Sequence, residues 1–482
     1  MATLNSNANG NHTANDQLVF GQTSQGAEIH ATIVRLARYT AVFEIYSPTL
    51  LLRTSEVLSN FKIVVRDRTL YSGRVVVRSL VSAGLTLVCE VTLNENAWID
   101  VAFDEEALRG EKLHEEFDRF VADWQRNYKV SSEFKVVVAD IQTFLMDLRG
   151  WAEQIELSIR SSPKLNYSEL ERSVIDTLSP QINSALDTLF GKFENLAGSL
   201  DSDMKPSYRS YIQRRLHPIV LCAPFAYRSY EKPLGYAGDY EMVNMMIGDP
   251  RQGGSLFAKI FNVWLLHQSS AVAHRNRINM LTRRLSEEAA VAARKGRSLK
   301  VLSLGCGPAW EVRGFLAQSE LSNNAVFTLL DFDEETLRHT TDALAQIQRR
   351  NNRSTSITLL KRSVHQLLKS AVRPDSFSGE GFDFVYCAGL FDYVSDRTCR
   401  QLLSLFYQWL KPHGVALVTN VTNISPNQGS LDLILDWHLN YRNAQHFRLL
   451  APEAIPAEEL RLHSDETGVN LFMEVRKSNG EA

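Results

Sequence analysis

The chain lacks the features that would place it in several easy classes. Its five cysteines, Cys89, Cys222, Cys306, Cys387 and Cys399, are scattered and odd in number, and no CxxC pair occurs. That argues against a disulfide scaffold, fits a reducing, cytoplasmic setting, and calls for no metal. No apolar run approaches the roughly 20 residues needed to cross a bilayer, so no transmembrane segment is expected. The formal net charge is only -3, which gives no general reason to expect a nucleic-acid partner. Residues 1–24 are rich in Asn, Thr, Ala, Gly and Gln. Without a basic start or an apolar core they read as a disordered polar tail, not as a secretory signal.

What is present suffices for more than one core. The chain has 482 residues, 44% hydrophobic and 22% charged, which predicts two or three domains. Residues 25–107 hold short runs rich in Val, Ile, Leu, Thr and Tyr: Glu28–Leu36, Thr40–Tyr46, Phe61–Val65, Gly73–Val81 and Gly84–Leu93. That spacing predicts a small antiparallel barrel or sandwich, with turns at Ser72-Gly73 and Ser82-Ala83-Gly84. Residues 108–215 change to helical periodicity. Phe134, Ile141, Leu148 and Ile155 recur every seven residues, and Val138, Leu145, Ala152 and Ile159 follow each by four. A second run from Leu170 to Leu196 is interrupted by Pro180, which should kink or divide it. Ser161-Ser162-Pro163 can reverse the chain between the two, giving a helical hairpin. It reads as a homodimerisation arm or as an intramolecular connector.

Residues 216–477 alternate strands and helices. Predicted strands are Lys300–Leu304, Ala325–Leu330, Ser356–Leu360, Phe382–Tyr386, Val415–Thr419 and Asn470–Val475. Helices are expected near Trp310–Ala317, Glu334–Arg349, Ser363–Ser370 and Thr398–Leu410. This order implies a largely parallel sheet, with an antiparallel edge open at the last pair. The first strand enters Ser303-Leu304-Gly305-Cys306-Gly307-Pro308-Ala309-Trp310-Glu311. Gly305 and Gly307 let the backbone turn tightly and approach a ligand. The helix starting near Trp310 turns free N–H groups toward electronegative atoms. The second strand ends in Asp331, about 24 residues past Gly307, where an acid accepts ribose hydroxyls. Asp333 is the better helix cap. The Gly-x-Gly-x-x-Gly spacing of nicotinamide enzymes fails, because position 310 is Trp.

This constellation, over about 295–420, resembles the class I methyltransferases that use S-adenosylmethionine. The resemblance implies an α/β Rossmann-like domain with Gly305, Cys306, Gly307, Glu311, Asp331, Phe332, Ser363, Val364, Ala388 and Gly389 around the cofactor. The family's acid before the first glycine is replaced by Ser303, and its third glycine by Ala309. Upstream, Pro233-Leu234-Gly235-Tyr236-Ala237-Gly238-Asp239-Tyr240-Glu241 reads as a helix-capping loop and as a lid, two compatible readings, with Tyr236 and Asp239 as site candidates. With the glycine turn and Ala388–Tyr393, this phrase resembles the bacterial proteins grouped as extracellular-factor 3-hydroxypalmitic acid methyl ester synthases, over about 216–477. That resemblance implies methylation of a fatty-acid-like carboxylate to a methyl ester, the acceptor being small or lipid-like. His438 is the candidate base, and Tyr441 and Arg442 the candidate carboxylate ligands, on one face if 435–442 is a helix. The same chemistry leaves open a regulator or scaffold that binds S-adenosylmethionine, or methylation of protein.

The first region resembles PilZ-type barrels, which bind cyclic di-GMP. In Arg35-Leu36-Ala37-Arg38 the second arginine comes one place early, and Ser79-Leu80-Val81-Ser82-Ala83-Gly84 keeps the final glycine without the family's Asp/Asn. The resemblance implies the barrel. Its departures favour an adaptor or dimer-organising role over cyclic di-GMP binding, which stays open.

Overall fold

The computed structural model describes residues 17–46, 52–65, 68–83, 86–99, 113–114, 117–118, 121, 130–161, 166–370 and 381–478. Two compact units result: Met1–Leu50 with Glu56–Asp123, and Leu51–Ser55 with Trp124–Ala482.

In the first unit, strands β1 (Gln17–Gln22), β2 (Glu28–Leu36), β3 (Thr40–Ile45), β4 (Val57–Val65), β5 (Arg68–Ala83) and β6 (Thr86–Thr92) close an antiparallel barrel in the order β1-β2-β3-β6-β5-β4. Alternation drives it: Ile29, Ala31 and Ile33 of β2 are buried while Glu28 and His30 face out. Phe61 packs on Phe43 at 5.6 Å between ring centroids and meets Tyr71 edge-on at 6.1 Å. Closure leaves no edge strand exposed. Two expectations are corrected. Strand β1 lies inside the stretch read as a disordered tail; its alternating Leu18, Val19 and Phe20 find partners on β2 and β4. Gly73 is no turn. It lies within β5, paired with Phe61, where a Cβ would come within 2.6 Å of the Ala97 Cβ. Residue 84 of the second expected turn lies outside the described residues. Arg35 is exposed on β2, and the Arg38 carbonyl accepts from Trp98 Nε1 at 2.9 Å.

The second unit opens with helices α1 (Ser132–Arg160), α2 (Tyr167–Gly198), α3 (Lys205–Val220), α4 (Pro224–Glu231), α5 (Tyr240–Ile247), α6 (Leu256–His267) and α7 (Ser269–Arg294). The Ser131 side chain caps α1 by accepting from the Phe134 N–H at 3.3 Å. The seven-residue stripe is buried from Phe134 to Ile159, with Ile155 only half-buried. Its cover comes from the same chain: α1 and α2 share one apolar core with Leu216, Phe257, Phe261 and Trp264. The face that motivated a dimerisation arm is thus filled internally, and the division expected at 215 falls inside α3. Helix α2 runs unbroken through Pro180.

A seven-stranded sheet follows, built from β7 (Leu299–Leu304), β8 (Ala325–Asp331), β9 (Ser356–Lys361), β10 (Phe382–Cys387), β11 (Leu410–Val421), β12 (Leu460–Ser464) and β13 (Asn470–Arg476). Helices α8 (Trp310–Gln318), α9 (Glu334–Arg350), α10 (Val364–Ser370) and α11 (Asp396–Trp409) connect the parallel strands, and the short α12 (Ala444–Arg448) precedes β12. The order is β12-β13-β11-β10-β7-β8-β9, parallel from β11 to β9, with β13 antiparallel to β11 and β12 antiparallel to β13. From β7 the chain moves outward to β9, then returns to β10 on the other side of β7. The crevice above β7 and β10 is therefore the topological switch point, where open α/β sheets bind ligands. Among the described residues no helix is long and apolar enough to cross a membrane.

Candidate active site at the switch point

The turn after β7 is left-handed at Gly305 (φ 68°), Gly307 (φ 52°) and Ala309 (φ 50°). The Gly305 and Cys306 N–H groups donate to the Leu330 carbonyl at 2.8 and 3.0 Å, fastening the turn to β8. A Cβ added at Gly307 would meet nothing within 4 Å, so the backbone faces open space that a ligand can fill. Ala309 holds a left-handed conformation that an L-residue adopts at a cost of about 1 kcal/mol. Cys306 is buried, and burial, then the Asp331 and Glu311 charges, push its thiol well up, so it carries no nucleophile.

Asp331 ends β8 with 6% of its surface exposed. Its Oδ2 accepts from the Gly307 N–H at 3.0 Å and its Oδ1 from the Asp333 N–H at 3.1 Å. Burial raises its pKa, and those two backbone donors oppose the rise. Asp333 caps α9 at Thr336. Phe332 meets the Tyr236 ring edge-on at 4.9 Å, and Tyr236 Oη lies 3.5 Å from Thr336 Oγ1. Tyr240 donates to Glu335 at 2.8 Å. The 233–241 loop thus reaches the tip of β8. Asp239 takes the helix-capping role, one of the two readings of this loop. It accepts from the Met242 N–H at 2.9 Å and from Arg228 Nε at 2.9 and 3.0 Å, so both oxygens serve the start of α5. Beyond β9, half-buried Ser363 accepts from the Gln366 N–H at 3.3 Å and buried Val364 begins α10.

At the other end of the crevice, the Tyr386 hydroxyl donates to buried Glu311 at 2.7 Å. Burial raises the Glu311 pKa; the Tyr386 hydrogen bond and the nearby Arg277 and Arg313 charges pull the other way. Ala388 and Gly389 follow β10, and the Gly389 N–H donates to Thr419 Oγ1 at 3.0 Å. With φ at 101°, a Cβ on Gly389 would lie 3.1 Å from Arg277 Nη2. Arg277, buried on α7, is the residue that sequence reasoning missed; it has no motif of its own and reaches the site only through folding. Its Nη2 lies within 3.0 Å of His274, which burial and then the Arg277 charge keep neutral. A guanidinium there could hold the carboxylate of an amino-acid group, with Glu311 available to its ammonium.

Next to the turn Phe391–Tyr393 lie residues 436–443, which are not helical. The expected shared helix face for His438, Tyr441 and Arg442 therefore does not exist. Asp392 Oδ1 accepts from the Val421 N–H at 2.7 Å, and burial, opposed by Arg277, lifts its pKa to about 6. Trp437 Nε1 donates to Tyr393 Oη at 2.9 Å, and Gly238 approaches so closely that a Cβ would sit 2.8 Å from that oxygen. His438 Nδ1 lies 3.2 Å from Asp432 Oδ1. His438 Nε2 and Tyr441 Oη are buried with no hydrogen-bond partner among the described residues. Arg442 is already committed: it donates to the Phe391 carbonyl at 2.8 Å, the Val394 carbonyl at 2.9 Å and Asp396 at 2.8 Å. It braces the 391–396 turn.

A glycine turn after the first parallel strand, an acid ending the second and an open cradle between them define an α/β domain for a nucleoside-bearing cofactor. Residues 301–414 match the family described as methyltransferase domain. No curated protein matches the chain. Among solved structures, a possible exported protein from Bordetella parapertussis is 20% identical, with 52% of this chain and 86% of that chain covered and a TM-score of 0.40. Magnesium protoporphyrin IX methyltransferase from Synechocystis PCC 6803 is 14% identical over 52% of this chain and 98% of that one, with a TM-score of 0.34. A putative O-methyltransferase from Nostoc punctiforme PCC 73102 is 16% identical over 54% and 71%, with a TM-score of 0.32. The chain therefore carries a methyltransferase domain at residues 301–414.

Proposed function

We propose that this enzyme methylates the carboxylate of a small, lipid-like acceptor, a 3-hydroxy fatty acid in the first instance, to give a methyl ester. In this reading Gly305, Gly307, Asp331, Phe332, Ser363 and Val364 hold the adenosine of the cofactor. Glu311, Arg277, Ala388 and Gly389 surround its amino-acid end. Bound there, S-adenosylmethionine supplies a methyl group made electrophilic by its sulfonium.

The observation that carries this reading is an apolar cavity lined in part by Leu431, Ile434 and Leu435, just ahead of the segment that holds two unsatisfied buried polar atoms. The cavity, of about 50 Å³, is lined by Phe190, Phe225, Phe261, Trp264, Leu431 and Leu435 among others. Trp437, its ring centroid 6.5 Å from that of the cavity-lining Phe225, belongs to the same segment as His438 and Tyr441, whose Nε2 and Oη are buried without hydrogen-bond partners among the described residues. Each methylene buried against such a lining contributes about 0.8 kcal/mol. A carboxylate is already ionised at neutral pH, so the site needs donors and exclusion of water more than a base. Burial pushes the Tyr441 hydroxyl well up, so it keeps its proton and can donate.

The Asp432–His438 contact supports a second reading, methylation of a hydroxyl. A carboxylate on Nδ1 leaves Nε2 as the proton acceptor that an alcohol would require. Incubation with methyl-labelled S-adenosylmethionine and a fractionated extract tests both. Label in saponifiable lipid supports the ester, alkali-stable label supports the ether, and label confined to protein rejects the lipid-like acceptor.

A further inference from the structure

Between β3 and β4 lies a short stretch that does not belong to the barrel's unit. Leu52, Arg53, Thr54 and Ser55 are all buried, none more than 6% exposed, and they belong to the second unit. Their contacts span the crevice. The Arg53 guanidinium lies 4.0 Å over the centroid of the Phe332 ring and 5.6 Å from that of Tyr236. The Thr54 N–H donates to the Tyr393 carbonyl at 3.2 Å. Ser55, left-handed at φ 60°, donates its hydroxyl to the His438 carbonyl at 2.8 Å and accepts from the His438 N–H. One short segment therefore joins the tip of β8 to the Tyr393 turn and to the His438 backbone.

We propose that residues 52–55 form a strap that completes the cofactor site, with Arg53 covering the adenosine end. Phe332 follows Asp331 directly, so a nucleoside whose ribose reaches Asp331 extends its base past Phe332. A guanidinium stacked on that ring brings a flat, charged face to the place where adenine offers ring-nitrogen acceptors and a π face. Stacking on a desolvated aromatic face fixes its plane. The Arg53 charge also favours the ionised form of Asp331, which ribose hydroxyls require. Thr54 and Ser55, anchored through backbone and hydroxyl hydrogen bonds, set where the guanidinium stands. The inference rests on the ribose role of Asp331.

Calorimetric titration of the full chain with S-adenosylhomocysteine and with 5′-methylthioadenosine, which lacks the amino-acid end, tests it. Arg53→Met keeps the aliphatic stem and removes the donors; Arg53→Ala removes both. Each is expected to weaken both ligands by a similar factor, about tenfold, with the ligand-free melting temperature of Arg53→Met unchanged. Unchanged affinity, tighter binding, loss for S-adenosylhomocysteine alone, or a lower melting temperature without weaker binding would each overturn the strap. Asp331→Ala, titrated alongside, separates the two ideas. If Asp331→Ala is silent, the ribose assignment fails; if Asp331→Ala weakens binding and Arg53→Met does not, only the strap fails.

Discussion

The Tyr386 hydroxyl, on the fourth parallel strand of the chain, donates to the Glu311 carboxylate in the first turn of the helix after the glycine loop, at 2.7 Å. The bond ties β10 to α8 across β7 and holds a buried carboxylate where a cofactor ammonium would lie. Burial favours the neutral acid, and this hydroxyl is the strongest force opposing it. Tyr386→Phe should therefore raise the Glu311 pKa further. Affinity for an ammonium-bearing ligand is present above that pKa and lost as the pH falls through it. The variant should bind S-adenosylhomocysteine about tenfold more weakly near neutrality, and the decline should begin at higher pH. Titration calorimetry between pH 5.5 and 8 reads both; a profile identical to wild type rejects the role.

Gly389 admits Arg277. A methyl at residue 389 would lie 3.1 Å from the guanidinium, on backbone at φ 101°. Gly389→Ala is expected to cost about 1–3 kcal/mol of stability and to displace Arg277 from the crevice. Arg277→Lys should fold and yet lose affinity for S-adenosylhomocysteine, while keeping affinity for 5′-methylthioadenosine. Equal losses for the two ligands would contradict the amino-acid-end assignment.

Asp392 gives the fold a pH dependence of definite sign. Its pKa rises from 3.8 to about 6 on folding, because burial disfavours the charged form. The native state thus binds the proton more tightly than the unfolded chain. The stabilising contribution is complete below about pH 4 and lost as pH rises through 6, a change of about 3 kcal/mol. Asp392→Asn retains an oxygen for the Val421 N–H and cannot ionise. It should melt higher than wild type at pH 7.5 and equally at pH 4; a constant difference across that range would show that ionisation is not the cause.

His438 and Tyr441 separate the two acceptor chemistries. For a carboxylate acceptor, Tyr441→Phe removes a donor and should cost about tenfold in kcat/KM, whereas His438→Gln, whose amide still donates, should cost less. For a hydroxyl acceptor, His438→Gln removes the proton acceptor and should cost about 10²–10⁴-fold. Steady-state kinetics on the acceptor identified by labelling distinguishes them.

Much of the sheet was legible because its signals are local. Val301, Leu302 and Leu304 end at Gly305, and Phe327, Leu329 and Leu330 end at Asp331; each run carries its own terminator, and the boundaries shift by a residue or two. Val415–Thr419 extended to Leu410–Val421 because pairing with two neighbours continues past the apolar run. Leu460–Ser464 was not legible: only two of its residues are apolar, and its strand state comes from pairing with β13. Arg442 and Asp239 looked chemical in sequence, since nothing local shows that a charged side chain is already engaged 11 or 46 residues away.

By itself the sequence determined the α/β cofactor domain, the glycine turn, the acid at its second strand and the barrel ahead of it. Each depends on periodicity or on backbone freedom within a few residues. Tertiary structure decided what those parts face. It covered the helical stripe with the chain's own helices, left His438 Nε2 and Tyr441 Oη unsatisfied, and brought Arg277 under Gly389 and Arg53 over Phe332. Residues 53 and 332 are far apart along the chain, and closing so long a loop is favourable only when the whole core condenses. No local pattern records such a contact, and the environment of the site is built from contacts of that kind.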